Sequence, residues 1–154
     1  FLAATSVLVS GCATVERTVE YDESPQIHTS VLAVPDNPRL GDTIDIEISL
    51  ENVGDSAVEL RFNSGTQTNY AVFRDGERVS SRTRIETQIA GTMTVLAGEK
   101  KTVTHKLKLV DRFQFAEEPG NLPGYFRGEY EVRAGIAGHG DQYPWAVTSF
   151  TIRQ

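Results

Sequence analysis

The sequence predicts an all-β fold, an immunoglobulin-like antiparallel β-sandwich of about eight strands, and three observations carry that prediction. Apolar and polar residues alternate with period two through most of the chain. The apolar runs are short and are separated by Gly, Pro, Asn and Asp. No segment sustains a 3.6-residue period over two turns.

The strands follow in order. Ile27–Val34 is the first. Ile44, Ile46, Ile48 and Leu50 alternate with Asp45, Glu47 and Ser49, which gives one dry face and one wet face. The turn residues 52–56 lead into Val58, Leu60 and Phe62, alternating with Glu59 and Arg61, expected as the hairpin partner of the preceding strand. Tyr70-Ala71-Val72-Phe73 runs into Asp75-Gly76, a two-residue hairpin turn, and a short strand through Val79. Residues 92–96 and then Val103, His105, Leu107 and Leu109 form two more strands. Tyr130, Val132, Ala134 and Ile136 alternate with Glu131 and Arg133, and Ala146–Ile152 closes the chain. Residues 111–118 are expected to hold at most one helical turn before Pro119-Gly120. The phrase Leu40-Gly41-Asp42-Thr43-Ile44-Asp45-Ile46, with Asn52 closing the strand, is typical of immunoglobulin-like bacterial modules.

With 154 residues and 39% hydrophobic content, the chain suits one compact domain. A net charge of −6 argues against a nucleic-acid partner, which calls for a basic face to displace phosphate counterions. One Cys excludes a disulfide framework and a thiolate zinc site, and three separated His make no metal cluster, so neither cofactor nor metal is expected.

The N-terminus carries its own signal. Residues 1–11 are uncharged and mostly small or apolar, and read as a truncated lipoprotein signal peptide. Val9-Ser10-Gly11-Cys12 resembles the lipobox of prokaryotic lipoprotein precursors, which makes Cys12 the expected acylated first residue. Acyl chains contribute about 0.8 kcal/mol per buried methylene, so the expected partner of this end is a membrane and the expected location is the cell envelope, outside the cytoplasm. Residues 12–25 then form the lipidated terminus and a polar, acidic tether, and residues 26–154 the domain.

Asn52-Val53-Gly54, the run Val58-Glu59-Leu60-Arg61-Phe62-Asn63-Ser64-Gly65, the hairpin from Tyr70 to Val79, Thr87-Gln88 and Leu96-Ala97-Gly98-Glu99 occur in that order. This ordered set, spanning residues 50–109, resembles the BsuPI family of proteinase inhibitors. In place of the family's Trp and Ser-Asp-Gly after the hairpin stand residues 80–85, and the late Pro-Pro-Gly-x-Tyr step is present only loosely, as Leu122-Pro123-Gly124 and Tyr130. The resemblance implies an immunoglobulin-like sandwich and inhibition of a protease, which for an exported chain is an extracytoplasmic serine protease.

Catalysis finds no support in the residues, so no catalytic residue is assigned. Ser64 sits in a turn with no helix behind it to frame a nucleophile. His105 lies in an apolar register and reads as a core or sheet-edge His with a hydrogen-bond partner. His139 and Asp141 are two ligands at most, and His28 has no visible partner. The pairs Asp22-Glu23 and Glu117-Glu118 read as solvated charge. Binding has better candidates. The longest irregular segment, residues 110–127, offers Arg112, Phe113, Phe115, Tyr125, Phe126 and Arg127 as partner-contacting residues. The same rings also suit a plug over the end of the sandwich, and the sequence leaves both open. Arg74, Arg78, Arg82 and Arg84 form either a cationic patch or a charged strand edge that blocks pairing. Tyr143-Pro144-Trp145 is expected as core filler with a turn. Two functions fit this reading: a membrane-anchored, non-enzymatic inhibitor of a protease, or an envelope structural and adhesion module that contacts another envelope protein.

Overall fold

The computed structural model describes residues 26–81, 90–110 and 125–153. Among them there are nine strands and no helix: β1 (Ile27–Val34), β2 (Thr43–Asn52), β3 (Val58–Phe62), β4 (Thr68–Arg74), β5 (Glu77–Ser81), β6 (Gly91–Val95), β7 (Lys100–Lys108), β8 (Gly128–Ile136) and β9 (Ala146–Ile152). The helical turn expected within 111–118 lies outside the described residues.

The alternation read from the sequence is what buries the core. Ile44, Ile46, Ile48 and Leu50 of β2 are fully buried, while Asp45, Glu47 and Ser49 point outward. Each fully buried aliphatic chain contributes about 1.5–3 kcal/mol of transfer free energy. The same pattern in β8 buries Tyr130, Val132, Ala134 and Ile136. One hydrophobic cluster joins these with Ile27 and Val31 of β1, Leu60 of β3, Val95 of β6 and Phe150 of β9, so the sheets enclose a single core.

All strand pairings are antiparallel. One sheet has the order β1-β2-β7, another β5-β4-β8-β9, and β3 pairs with β6. The structure is a β-sandwich. It corrects one expectation: β3 is not the hairpin partner of β2. Asn52 lies at the bend between them and is completely buried. Its amide nitrogen donates to the carbonyls of Ser56 (2.8 Å) and Val95 (2.9 Å), and its Oδ1 accepts from the Gly54 amide (3.0 Å). Its backbone N–H donates to Glu99 O and its carbonyl accepts from Gly98 N–H, both at 2.9 Å. These bonds fold the turn after β2 and the turn before β7 about one side chain. The β2–β7 ribbon therefore continues past the bend as the β3–β6 ribbon.

Residues 36–39 cross between the sheets. β1 pairs with β2, and the chain then runs alongside the end of β9, where Thr151 N–H donates to Asp36 O and Arg153 N–H to Pro38 O. A parallel bridge joins Arg39 and Arg153. At the β4–β5 hairpin the two-residue turn is as expected: Asp75 and Gly76 adopt φ of 52° and 81°, the left-handed pair that a tight hairpin requires and that Gly adopts without a Cβ penalty.

The registers sort the loops to two ends. Gln26 and residues 53–57, 63–67, 96–99 and 137–145 lie at one end; residues 35–42, 75–76, 109–110 and 125–127 lie at the other. At the first end, Trp145 departs from the expected core position and is 43% exposed. Gly135 presents no side chain on the outer sheet face, and the indole of Trp145 lies over it, 3.3 Å from where a Cβ would stand. Tyr143, by contrast, packs partly buried against the core. Among the described residues no helix is long and apolar enough to cross a membrane.

Candidate functional site

The end that holds residues 125–127 is built around Tyr130. Its ring is buried in β8, stacked on Phe150 with centroids 5.3 Å apart. Its hydroxyl donates to the carbonyl of Phe126 (2.9 Å) and accepts from the N–H of Phe126 (2.7 Å). A phenol at the start of a strand bonded to the backbone just upstream is the tyrosine corner of immunoglobulin-like sandwiches, and it fixes the path of the incoming chain. A third bond comes from Arg74 Nη1, 3.3 Å away. The oxygen thus uses its one donor and both acceptor sites.

Arg74 reaches this point from the end of β4. Its guanidinium lies 5.5 Å from the Tyr130 ring centroid and 5.8 Å from that of Phe126, within cation–π range of both. The structure therefore joins two features that are separate in the sequence: the first arginine of the cationic stretch and the aromatic end of the 110–127 segment. On the outer face of the same sheet Arg133 covers Phe73 at 4.3 Å. The Tyr125 N–H donates to Val110 O at 2.9 Å, so the two ends of the segment meet.

The six sequence-predicted contact residues have different placements. Phe126 is 37% exposed and Arg127 is exposed, and both face solvent beside the Asp75-Gly76 turn. Tyr125 is buried, 3% exposed, its ring tilted against Tyr130, so it is part of the core and not a surface contact. Arg112, Phe113 and Phe115 lie outside the described residues, as do Cys12, Arg82 and Arg84. Sequence reading missed Arg74 as the partner of Phe126. The missing signal was the pairing of β4 with β8, which no local pattern encodes.

Two of the three histidines are tied into the fold, while His28 is exposed on β1. His105 is a buried, hydrogen-bonded residue of β7, as its register suggested; its Nε2 lies 2.8 Å from Thr68 Oγ1 of β4, which ties the two sheets together. His139 Nε2 donates to the carbonyl of Arg61 at 2.8 Å, and its ring meets Phe62 edge-on, which bolts the β8–β9 turn to β3. Among the described residues no three His, Cys, Asp or Glu side chains gather as a metal-ligating group. The Ser64 hydroxyl accepts from Thr66 N–H, as a turn residue does.

Comparison with known proteins adds the following. The family described as BsuPI, intracellular proteinase inhibitor, matches residues 34–139, a wider span than the motifs alone. No curated protein matches the chain in sequence. Among solved structures, the alkylpurine DNA glycosylase AlkC of Pseudomonas fluorescens, bound to DNA containing an abasic site analog, is 13% identical with a TM-score of 0.50 over 84% of this chain. The chain spans 31% of that protein's length. The CARDB domain of a Pyrococcus furiosus protein, in complex with di-metal ions, is 13% identical with a TM-score of 0.48, covering 84% of this chain and 89% of that one. A β-glucosidase of Listeria innocua is 18% identical with a TM-score of 0.45, covering 83% of this chain and 16% of the other. At such identities the likeness to AlkC is one of fold alone.

Proposed function

The chain belongs to the BsuPI family, intracellular proteinase inhibitors, and from that membership we propose that it is a membrane-anchored, non-enzymatic module that inhibits an extracytoplasmic serine protease through residues 110–127. The observation that carries this reading is the anchoring of the segment. Its ends are joined by Tyr125 N–H to Val110 O, and Tyr130 and Arg74 grip Phe126. Joining Val110 to Tyr125 closes the chain between them into a loop, and loop closure lowers the entropy that binding must still remove, which favours binding. A solvent-facing Phe126 beside Arg127 and Arg74 supplies the aromatic and guanidinium anchors that interfaces favour. The lipid on Cys12 belongs to the same proposal. The described domain starts at Gln26, at the end opposite Phe126, so a tether to a bilayer leaves Phe126 and Arg127 on the side away from it.

Titrating the full chain against a panel of subtilisin-like proteases tests the inhibitor reading. Inhibition is expected, with Phe126→Ala raising the inhibition constant by about thirty-fold and the combined Arg112→Ala, Phe113→Ala and Phe115→Ala variant abolishing it. Leu96→Ser, at the far end, leaves it unchanged. Undiminished proteolysis across the panel removes the reading. A pull-down from envelope extract that returns a cell-wall or assembly factor in place of a protease favours the adhesion module instead.

Lipidation is tested separately. Expressed behind a lipoprotein signal peptide that retains residues 9–12, the chain is expected to incorporate labelled palmitate and to sediment with membranes. Cys12→Ser is expected to do neither. Equal labelling of the two removes the anchor.

A further inference from the structure

We propose that the slot between β1 and the first half of β9, at the end of the sandwich opposite Phe126, binds an extended, uncharged peptide as an added strand. The backbone directions make the case. Gln26 O accepts from Val53 N–H across the β1–β2 pair, and pairing alternates along an antiparallel ladder. The N–H and C=O groups of Ile27, Thr29 and Val31 therefore face away from β2, at the open edge of that sheet. Thr151 of β9 and Arg153 just beyond it turn their N–H groups away from β8 toward residues 36–38. By the same alternation Ser149 and Val147 face that way too, and among the described residues no strand pairs with them.

The two open edges border one groove of about 610 Å³, lined by Ile27, Thr29, Val31 and Val53 on the side of the β1–β2 pair and by Trp145 and Val147 on the side of β9. Val53, Trp145 and Val147 are 63%, 43% and 58% exposed, an unusual concentration of bare apolar surface. Thr29 points the other way chemically. It is 8% exposed, yet its hydroxyl has no hydrogen-bond partner among the described residues. A buried hydroxyl without a partner is costly, and a ligand group reaching it would remove that cost.

The occupant's chemistry follows from continuity and charge. Residues 36–38 already lie as an added strand against the last part of β9, so what this edge accepts is extended backbone, and the slot continues that ladder to Val147. The groove lining holds no carboxylate, ammonium or guanidinium group, and His28 is its one ionisable side chain. A charged peptide would find no counter-ion there. An added strand of about five residues, with small apolar side chains over Ile27 and Val31 and a Ser or Thr hydroxyl at Thr29, meets the outward backbone groups of β1 and gives the Thr29 hydroxyl a partner.

Trp145 is the chain's sole tryptophan, so its fluorescence reports on the groove. The probe is an alternating, Trp-free octapeptide, acetylated and amidated so that it carries no charge, whose one strand face presents Val, Thr and Val in turn and whose other residues are Thr and Ser; the comparison is the same peptide with Pro at its two central positions. With the full chain, the alternating peptide is expected to give a saturable blue shift of Trp145 emission, and the Pro peptide none. Val147→Pro removes the outward N–H at a position where an edge strand tolerates Pro, and Val147→Lys places a charge on the lining. Each is expected to weaken the response at least ten-fold while Leu96→Ser leaves it intact, and two variants guard against one failing to fold. Any of three results overturns the proposal: no shift with the alternating peptide, equal shifts with both peptides, or a shift that follows protein concentration alone with a dimer in sedimentation. A response that emerges only after residues 13–25 are removed also overturns it, because the occupant is then the chain itself. Inhibition of a protease is read at the other end, so failure of either proposal leaves the other standing.

Discussion

Asn52→Asp is expected to lower the unfolding free energy by about 4 kcal/mol at neutral pH, the cost of unsatisfied polar groups in a dry site. The change is isosteric, so packing is preserved and the effect isolates the hydrogen bonds. The Asn52 amide nitrogen donates to two carbonyls, those of Ser56 and Val95, from a fully buried position. A carboxylate there places negative charge against both carbonyl oxygens with no counter-ion. Protonation restores one donor and only one. The folded state therefore holds its proton more tightly than the unfolded chain, and the variant's deficit is expected to shrink as pH falls. Chemical denaturation of the two proteins at pH 7 and pH 4.5 measures this. A deficit that is below 1 kcal/mol, or that is unchanged by pH, contradicts the account of the bend.

Tyr130→Phe is expected to cost about 2 kcal/mol and to act at a distance from the bend. The ring stays, so its stacking on Phe150 survives, but the N–H and carbonyl of Phe126 lose their shared partner and Arg74 loses an acceptor. The loss is local, at the base of the 110–127 segment. Hydrogen exchange is therefore expected to rise at Phe126 and at Tyr125, whose N–H is bonded to Val110, while Ile46 and Ile48 follow only the global change. On the inhibitor reading the same variant inhibits less well than wild type while remaining folded. Uniform exchange across the domain would place the Tyr130 hydroxyl outside the control of that segment.

The sequence made visible what alternation and turn chemistry encode locally. β2 was legible because a charged or hydroxyl residue separates each pair of aliphatic ones, β8 because Glu131 and Arg133 separate Tyr130, Val132 and Ala134, and the β4–β5 turn because Asp75-Gly76 adopts a conformation few other pairs tolerate. His105 was legible as a bonded core residue from its neighbours Val103 and Leu107. The partnership of strands was not. The assignment of β3 to β2 failed because a buried amide at Asn52 redirects the chain, and nothing in residues 53–57 says which strand waits beyond the turn. Trp145 was read as core because large aromatics bury well. Its place on the surface depends on Gly135, ten residues earlier, leaving a flat platform on the neighbouring strand. Arg74 and Phe126 meet only through the β4–β8 ladder, a pairing of residues more than fifty positions apart.

The crossing of residues 36–38 onto β9 has a bearing on how the chain matures. Asp36 and Thr151, about 115 residues apart, share a hydrogen bond that joins the first strand's exit to the last strand of the sandwich. Contacts of such separation form late, because the loop they close must first surrender its entropy. Residues 36–38 thus lack their partner until β9 has been synthesised, and this edge of the sandwich stays open until that strand arrives.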